Sequence, residues 1–195
     1  MDSNFSSSEI LSFSLVTERD AAEILKLRRA APVGSLKPSP TRIEEQVEYL
    51  QRYKDRERGG SELYVRATRP GAELAIGYFR LTELQTNGAF NWASLVMARE
   101  SSISERLDVI LCSYALGFAL PEKVFCGPFP VRRSNVRVVE LHRAMGIAKV
   151  MEGFPGSDEE CVYFGVDRLD FFGQLPGWQR RGLGKLRRGG LIGCI

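Results

Sequence analysis

The sequence predicts an α+β domain, and three observations predict it. Thr41-Arg-Ile-Glu44 and Ser102-Ile-Ser-Glu105 carry the spacing of capping boxes that open helices. Pro70-Gly71 and Asn87-Gly88 separate short apolar runs as hairpin turns do. Read end to end, the elements run β α α β β β α β α β β, with no internal repeat and no linker-like stretch, which argues for one layered domain.

The elements follow in order. Residues 1–9 are Ser-rich and read as a loose terminus before a domain over 10–178. Leu11–Val16 alternates apolar and polar side chains as an edge strand does. Thr17–Asp20 opens a helix with Ile24, Leu25 and Leu27 inward, and Pro32–Pro40 reads as a loop. Thr41 caps the next helix, with Glu44 reaching back; the helix runs to about Tyr53 and is stopped by Arg58-Gly-Gly60. Leu63–Ala67, Leu74–Leu81 and Phe90–Met97 read as strands. Behind Ser102, the residues Leu107, Ile110, Leu111, Tyr114 and Phe118 form one apolar stripe at helical spacing. Lys123–Phe129 is a short strand ended by Pro130. Asn135–Met145 is helical and closes on Gly146, and Val150 with Glu160–Phe172 completes the sheet.

Composition narrows the function classes. The chain is 44% hydrophobic and 26% charged, without an apolar run near the length that spans a membrane. Its first residues lack the basic and apolar regions of a secretory signal, so a cytoplasmic protein is expected. Cys112, Cys126, Cys161 and Cys194 form no C-x-x-C pair, and with one histidine they make a poor zinc set; reduced thiols are the better reading, and no metal is expected. The charge is uneven. Arg180, Arg181, Lys185, Arg187 and Arg188 crowd the tail over 179–195, which has no acid, so the body before it is net acidic despite the chain's +3. The body is therefore not a nucleic-acid binder, and the tail reads as a solvated basic end or a dock for an acidic partner. A homodimer stays open.

The segment RSNVRVVELHRAMGI carries a resemblance. Asn135, Leu141, His142, Gly146 and Ile147 fall at the offsets of the N-x-x-A/S-x-x-L-Y/H-x-K-x-G-F helix of the GNAT superfamily of N-acetyltransferases. Val138, Ala144 and Ile147 depart from the usual residues, but the order of elements from Leu11 to Phe172 also resembles that family. The resemblance implies a mixed, mostly antiparallel twisted sheet flanked by helices. It implies acetyl-CoA as cofactor and direct acetyl transfer to the primary amine of a small molecule through a tetrahedral intermediate.

It also implies where the chemistry lies. The family's pyrophosphate loop, Q/R-x-x-G-x-G, precedes the long helix, and that position holds VMARESSISERL, with Arg99 at the first place and Ser102 and Ser104 at the glycine places. Arg99, Ser101, Ser102, Ile103 and Ser104 are thus the expected phosphate cradle, where backbone N–H groups and the helix dipole hold a di-anion. A plain helix cap is the alternative reading of the same serines. If either place needs φ > 0, serine costs on the order of 1–2 kcal/mol. The tail's Gln179-Arg-Arg-Gly-Leu-Gly184 matches the loop letter for letter, but too little chain follows it for a dipole-bearing helix, and the match reads as coincidence.

By the same resemblance, acetyl-CoA lies where two strands splay, at Leu95, Val96 and Met97 on one side and Lys123–Phe125 on the other, with a backbone N–H near Val96 or Met97 on the oxyanion. His142 stands where a Tyr commonly protonates the leaving thiolate, or else packs inside. Glu83 and Glu62 are candidates for taking the amine's proton, or are surface carboxylates. Asn135 binds the pantetheine arm or caps its own helix. Cys126 packs. Arg28 and Arg29 suit a phosphate-bearing acceptor, or solvent. The segments LKLRRAAPVG and TRIEEQVEYLQRY are similar to branches acting on amino-sugar nucleotides and on ribosomal-protein N-termini. The degenerate loop, Glu100 beside it and the missing Tyr keep a second reading open, a GNAT-fold module that binds or assembles without catalysis.

Overall fold

In the computed structural model, residues 11–31, 40–153 and 157–175 are described. The Ser-rich start, most of the Pro32–Pro40 stretch, Gln179–Gly184 with the rest of the basic tail, and Cys194 lie outside them.

The strands are β1 (Ser12–Leu15), β2 (Leu63–Thr68), β3 (Ala75–Thr82), β4 (Ala89–Met97), β5 (Phe125–Arg132), β6 (Lys149–Met151) and β7 (Cys161–Asp167). They form one sheet in the order β1-β2-β3-β4-β5-β7-β6. Every pairing is antiparallel except β4 with β5. The helices are α1 (Ala21–Ala30), α2 (Ile43–Arg58), α3 (Ile103–Ala119), α4 (Val136–Met145) and α5 (Arg168–Gln174).

Strand alternation divides the side chains between two layers. Leu63, Val65, Phe79, Leu81, Phe90 and Trp92 pack with Val109, Ile110, Tyr114, Phe118, Val139 and Phe171 under α3, α4 and α5. Tyr64, Tyr78 and Val96 face the other way and pack with Ile24, Leu50 and Tyr53 of α1 and α2. At Gly117, α3 presses on β4 so closely that an added Cβ would lie 2.2 Å from the Phe90 ring.

Local chemistry explains the boundaries. Ser102 caps α3 through its side chain, accepting from the Glu105 N–H, as the sequence predicts. Gly146 ends α4 at φ 67°, the left-handed value that suits glycine. Three expectations shift. The first turn of α2 is held by Glu45 rather than Glu44, whose neighbour accepts from the N–H groups of Thr41 and Arg42; Arg42 is the capping residue, and the helix continues to Arg58. Pro130 does not end β5 but lies within it opposite Tyr163, its missing N–H tolerated beside a register irregularity between Cys126 and Phe129. Glu160–Phe172 is not one strand: Asp167 accepts from the N–H groups of Leu169 and Asp170 and starts α5, which the aromatic run had disguised.

Candidate active site

β4 and β5 run parallel, yet they pair only at Ala89 with Phe125 and Phe90 with Cys126. Beyond that, β5 continues against β7 alone, and Asn91–Met97 has no partner on the β5 side among the described residues. The two strands thus form a V that opens toward their C-terminal ends. Its arms are Asn91–Met97 and the stretch of β5 beyond Cys126. Lys123–Phe125, expected above as the second arm, is instead at the closed end, because parallel strands diverge after their last shared pair.

β4 carries a bulge inside the V. Tyr78 faces Val96 while Arg80 faces Ala93, so β4 advances by one residue more than β3, and Ser94 takes φ 52°. The Ala98 N–H donates to Ile76 O on β3 at 2.8 Å. Because the N–H and C=O of one peptide point to opposite sides, the N–H of Met97 points away from β3 and into the V. Val96 points the other way, its carbonyl oxygen lying against Gly77 of β3.

The loop after β4 is held by a residue the sequence reading passed over. The Arg106 guanidinium donates to Ser101 O at 3.2 Å and Ser101 Oγ at 3.0 Å, and to Ala98 O at 3.3 Å and Arg99 O at 3.1 Å. Its fork collects the carbonyls that close the turn, aided by Ser101 Oγ donating to Ala98 O at 2.6 Å. An arginine at i+4 from the cap was the available signal.

Ser102 has φ −67°, and neither Ser102 nor Ser104 has positive φ, so the serines carry no left-handed penalty. The N–H groups of Ile103 and Ser104 have no partner among the described residues and lie at the positive end of α3. The Ser102 N–H is already taken, donating to Glu105 Oε2 at 2.7 Å. Glu105 is in turn bound bidentately by Arg69, at 2.6 Å and 3.2 Å. Burial pushes the Glu105 carboxyl up, but the hydrogen bonds from Ser102 and Arg69 outweigh it and hold it below the usual range. An anion arriving at this terminus therefore finds two free N–H groups beside one carboxylate and two arginines.

His142 is enclosed by aromatic rings. It is 0% exposed, with ring centroids of Phe164 at 5.0 Å, Trp92 at 5.3 Å and Phe129 at 5.4 Å. Nδ1 lies 3.4 Å from Tyr114 Oη, and Nε2 has no hydrogen bond. Burial pushes its pKa from 6.5 down to about 4, so the imidazole is neutral near pH 7. The neutrality follows from the apolar cage.

Glu83 fares no better. It occupies the β3–β4 turn at φ 60°, exposed, at the end of β4 remote from the bulge and the α3 terminus. Glu62 is ion-paired with Arg56 at 3.0 Å and lies 3.7 Å from Arg80. Arg29 is used to close the chain, donating to Thr41 O across the start of α2. Arg28 is half-buried on α1 near Tyr64. Asn135 occupies the cap position of α4, but its side chain makes no capping bond among the described residues. Cys126 is buried at the vertex of the V and burial raises its thiol far above the ordinary value, as packing requires.

No family model matches the sequence, and no curated protein is similar to it at the level of sequence. Solved structures are similar in fold. One is an apo nucleotide-linked sugar GNAT, FdhC, with a TM-score of 0.71 at 25% identity, covering 85% of this chain and 90% of that one. Another is the aminoglycoside acetyltransferase AAC(6')-Ib with paromomycin and acetyl-CoA, with a TM-score of 0.66 at 16% identity over 86% of this chain and 98% of that one. A third is the Vibrio cholerae spermidine N-acetyltransferase with CoA and spermine, with a TM-score of 0.62 at 15% identity over 84% and 98% of the two chains. The fold is that of the acetyltransferases. In fold, in its splayed strands and in the helix segment of Asn135–Ile147, the chain is similar to the GNAT acetyltransferases.

Proposed function

We propose that the protein is an acetyl-CoA-dependent N-acetyltransferase acting on a primary amine of a small molecule. The observation that carries this reading is the V itself. Parallel pairing stops after Phe90 and Cys126, and beyond the bulge the N–H of Met97 turns into the gap.

Acetyl-CoA supplies the activated acetyl thioester. The residues present fit it: the N–H groups of Ile103 and Ser104 receive a phosphate, and Arg106 keeps the loop Ala98–Ser101 in shape. Arg99 is exposed at the same turn and adds a cation. The N–H of Met97 donates to the oxygen on which negative charge grows during acyl transfer, in a strand that does not have to reorganise, and Leu95 lines the same arm of the V. Asn135, at the head of α4, is assigned to the pantetheine arm in this reading. His142 keeps the floor apolar, and neither it nor Glu83 handles the proton in this reading. The amine's proton leaves through water at the open mouth. The acceptor is an amino sugar linked to a nucleotide; the likeness in fold to FdhC at 25% identity supports this choice.

Thermal unfolding of the intact chain with about 1 mM acetyl-CoA tests the reading. Ligand at a hundred times its Kd stabilises by about 2.7 kcal/mol, a shift of several degrees. The shift is expected in the wild type and is expected to vanish when Ser102 and Ser104 are both changed to Asp. No shift in the wild type would favour the module without a cofactor, a reading supported by the Glu105 carboxylate already on the Ser102 N–H.

A further inference from the structure

Arg80 leaves one edge of its guanidinium unused. Nη1 donates to Tyr49 Oη on α2 and lies 3.7 Å from Glu62 Oε2. Nε is enclosed without a hydrogen bond, and Nη2 makes none among the described residues. The side chain is 19% exposed, and Nη2 is not enclosed as Nε is. Nε and Nη2 lie side by side with nearly parallel N–H bonds, the geometry that takes a carboxylate or a phosphate through two oxygens.

Two other arginines of this protein show the same edge filled. Arg69 sets Nε and Nη2 against the two oxygens of Glu105, at 2.6 Å and 3.2 Å. Arg106 gives the pair to Ser101 and to the carbonyls of Ala98 and Arg99. Enclosed donors are rarely left without an acceptor, so the open edge of Arg80 calls for a reason.

Strand register shows what lies beside it. Arg80 pairs with Tyr64 on β2 and with Ala93 on β4, and Thr82 pairs with Asn91 two residues on. Leu81 and Trp92, between them, are buried under α3, so by alternation Arg80, Thr82, Asn91 and Ala93 share the face of α1 and α2. Tyr64 is buried there against Tyr53 of α2. Thr82, Asn91 and Ala93 are only half-buried. The β2 side of Arg80 is therefore covered and the β4 side is not. Asn91 and Ala93 belong to the unpaired arm of the V, directly past the last β4–β5 pair.

Charge fixes what this edge would take. Arg56 lies 3.0 Å from Glu62, and the guanidinium groups of Arg56 and Arg80 stand 5.7 Å and 5.9 Å from the Tyr49 ring. Two arginines share one carboxylate, which leaves one positive charge in excess. Asp20 and Glu23 do not cancel it, being engaged by Tyr78 at 3.2 Å and 2.5 Å and by Arg66 at 3.3 Å and 4.0 Å. An anion would meet an open fork, whereas a polycation would meet no uncommitted carboxylate among these residues. Arg80 stands three residues along β3 from Gly77, the partner of Met97, a distance of about 10 Å, so it addresses a part of the acceptor remote from the reacting amine.

We infer that Arg80 is the anion-binding residue of the acceptor site, holding a phosphate of the acceptor through Nε and Nη2, with Arg56 adding charge beside it. This rests on the acetyltransferase reading and adds to it the group that tells a phosphate-bearing amine from a neutral one.

Acetylation rates of the full-length protein with acetyl-CoA test it, using glucosamine, glucosamine 6-phosphate, UDP-glucosamine and spermidine as probes. The wild type is expected to favour the better phosphate-bearing sugar over glucosamine about tenfold or more in kcat/KM. Arg80→Met removes the fork and is expected to abolish that preference. Arg80→Lys keeps the charge without the fork and is expected to leave a preference between the two. An arginine that only braces Tyr49 and Glu62 would slow all acceptors alike and leave the ratio where it was. Should Arg80→Met fail to fold, Arg80→Lys carries the test, since its ratio must still fall. The assignment is overturned by a wild type indifferent to phosphate, by a ratio unchanged in the variants, or by spermidine as a better acceptor than both phosphate-bearing sugars. An absence of turnover of those two sugars overturns it as well. In each of those cases a wild-type melting shift with acetyl-CoA leaves the acetyltransferase reading standing, whereas absence of that shift removes both.

Discussion

The two faces of the sheet are built on opposite principles. Under α3, α4 and α5 the packing is aromatic and dry: Trp92, Tyr114, Phe118, Phe129, Phe164 and Phe171 meet mostly edge to face, and His142 is the polar exception. Under α1 and α2 the aromatic residues are tyrosines whose hydroxyls meet carboxylates, guanidinium groups and backbone: Tyr49 with Arg80, Tyr53 with Glu57 and the Tyr64 N–H, Tyr78 with Asp20 and Glu23. Ser113 is a second polar group there, accepting from Trp92 Nε1 at 2.7 Å and donating to Ile110 O at 2.6 Å. The second face joins most of its polar groups in hydrogen bonds and ion pairs, while Gln46 Oε1 and Asn91 Oδ1 have no partner among the described residues. One face is held mainly by apolar packing, the other by a polar network.

The sharpest way to break that comparison is to cut into the dry face. Phe129 is 1% exposed and touches Trp92, Tyr114, His142 and Phe164. Phe129→Ala removes a ring packed on four others, and is expected to cost about 3–5 kcal/mol in urea unfolding. A loss under about 1 kcal/mol would mean that this face is not the main source of stability.

His142 sharpens the comparison through pH. Its folded pKa lies below its unfolded one, so its contribution is undiminished above the unfolded value of 6.5 and is lost progressively as pH falls toward about 4. Over that window the unfolded chain gains a proton that the folded chain refuses. Between pH 7 and pH 5 the loss is about 2 kcal/mol. His142→Gln still offers Tyr114 a partner but cannot be protonated, and should remove that part of the acid sensitivity while leaving kcat within about threefold. Urea midpoints of the two proteins at both pH values read the difference. A hundredfold fall in kcat would instead restore His142 to the chemistry.

How much of this was legible in the sequence depends on the face. Apolar stripes such as Leu107–Phe118 and the caps at Ser102 and Gly146 speak through local periodicity, so the layers and the α3 terminus could be read directly. The V could be expected only from the resemblance, and its second arm was misplaced, because which strands pair parallel and where pairing ends depends on contacts far apart in the chain. His142 illustrates the same limit. An Asn-x5-Leu-His pattern gives a helix position, but not that Trp92, Phe129 and Phe164, from three strands, will close around the ring. Arg106 and Arg80 had no motif to announce them. Their roles come from what they do or do not bond, and that exists only once α2, α3, β3 and β4 are assembled.

The smallest expected effect lies on the polar face and tests whether its connected groups differ from its open ones. Tyr53 is fully buried, and its hydroxyl serves two neighbours, accepting from the Tyr64 N–H and donating to Glu57. Tyr53→Phe leaves Glu57 with Lys54 at 2.8 Å, but strands a buried backbone N–H on β2. The ring stays in place, so packing against Tyr64 is retained and the loss should come from that one donor, about 1–2 kcal/mol. Gln46→Met, one face and two helical turns away, deletes a polar group of similar burial that bonds nothing, and should cost nothing. If the two substitutions destabilise alike, the amide of Gln46 is already satisfied in the free protein, and the distinction between a connected network and a vacant acceptor collapses. If only Tyr53→Phe destabilises, the polar face contains two kinds of group, those that hold α2 to the sheet and those that do not.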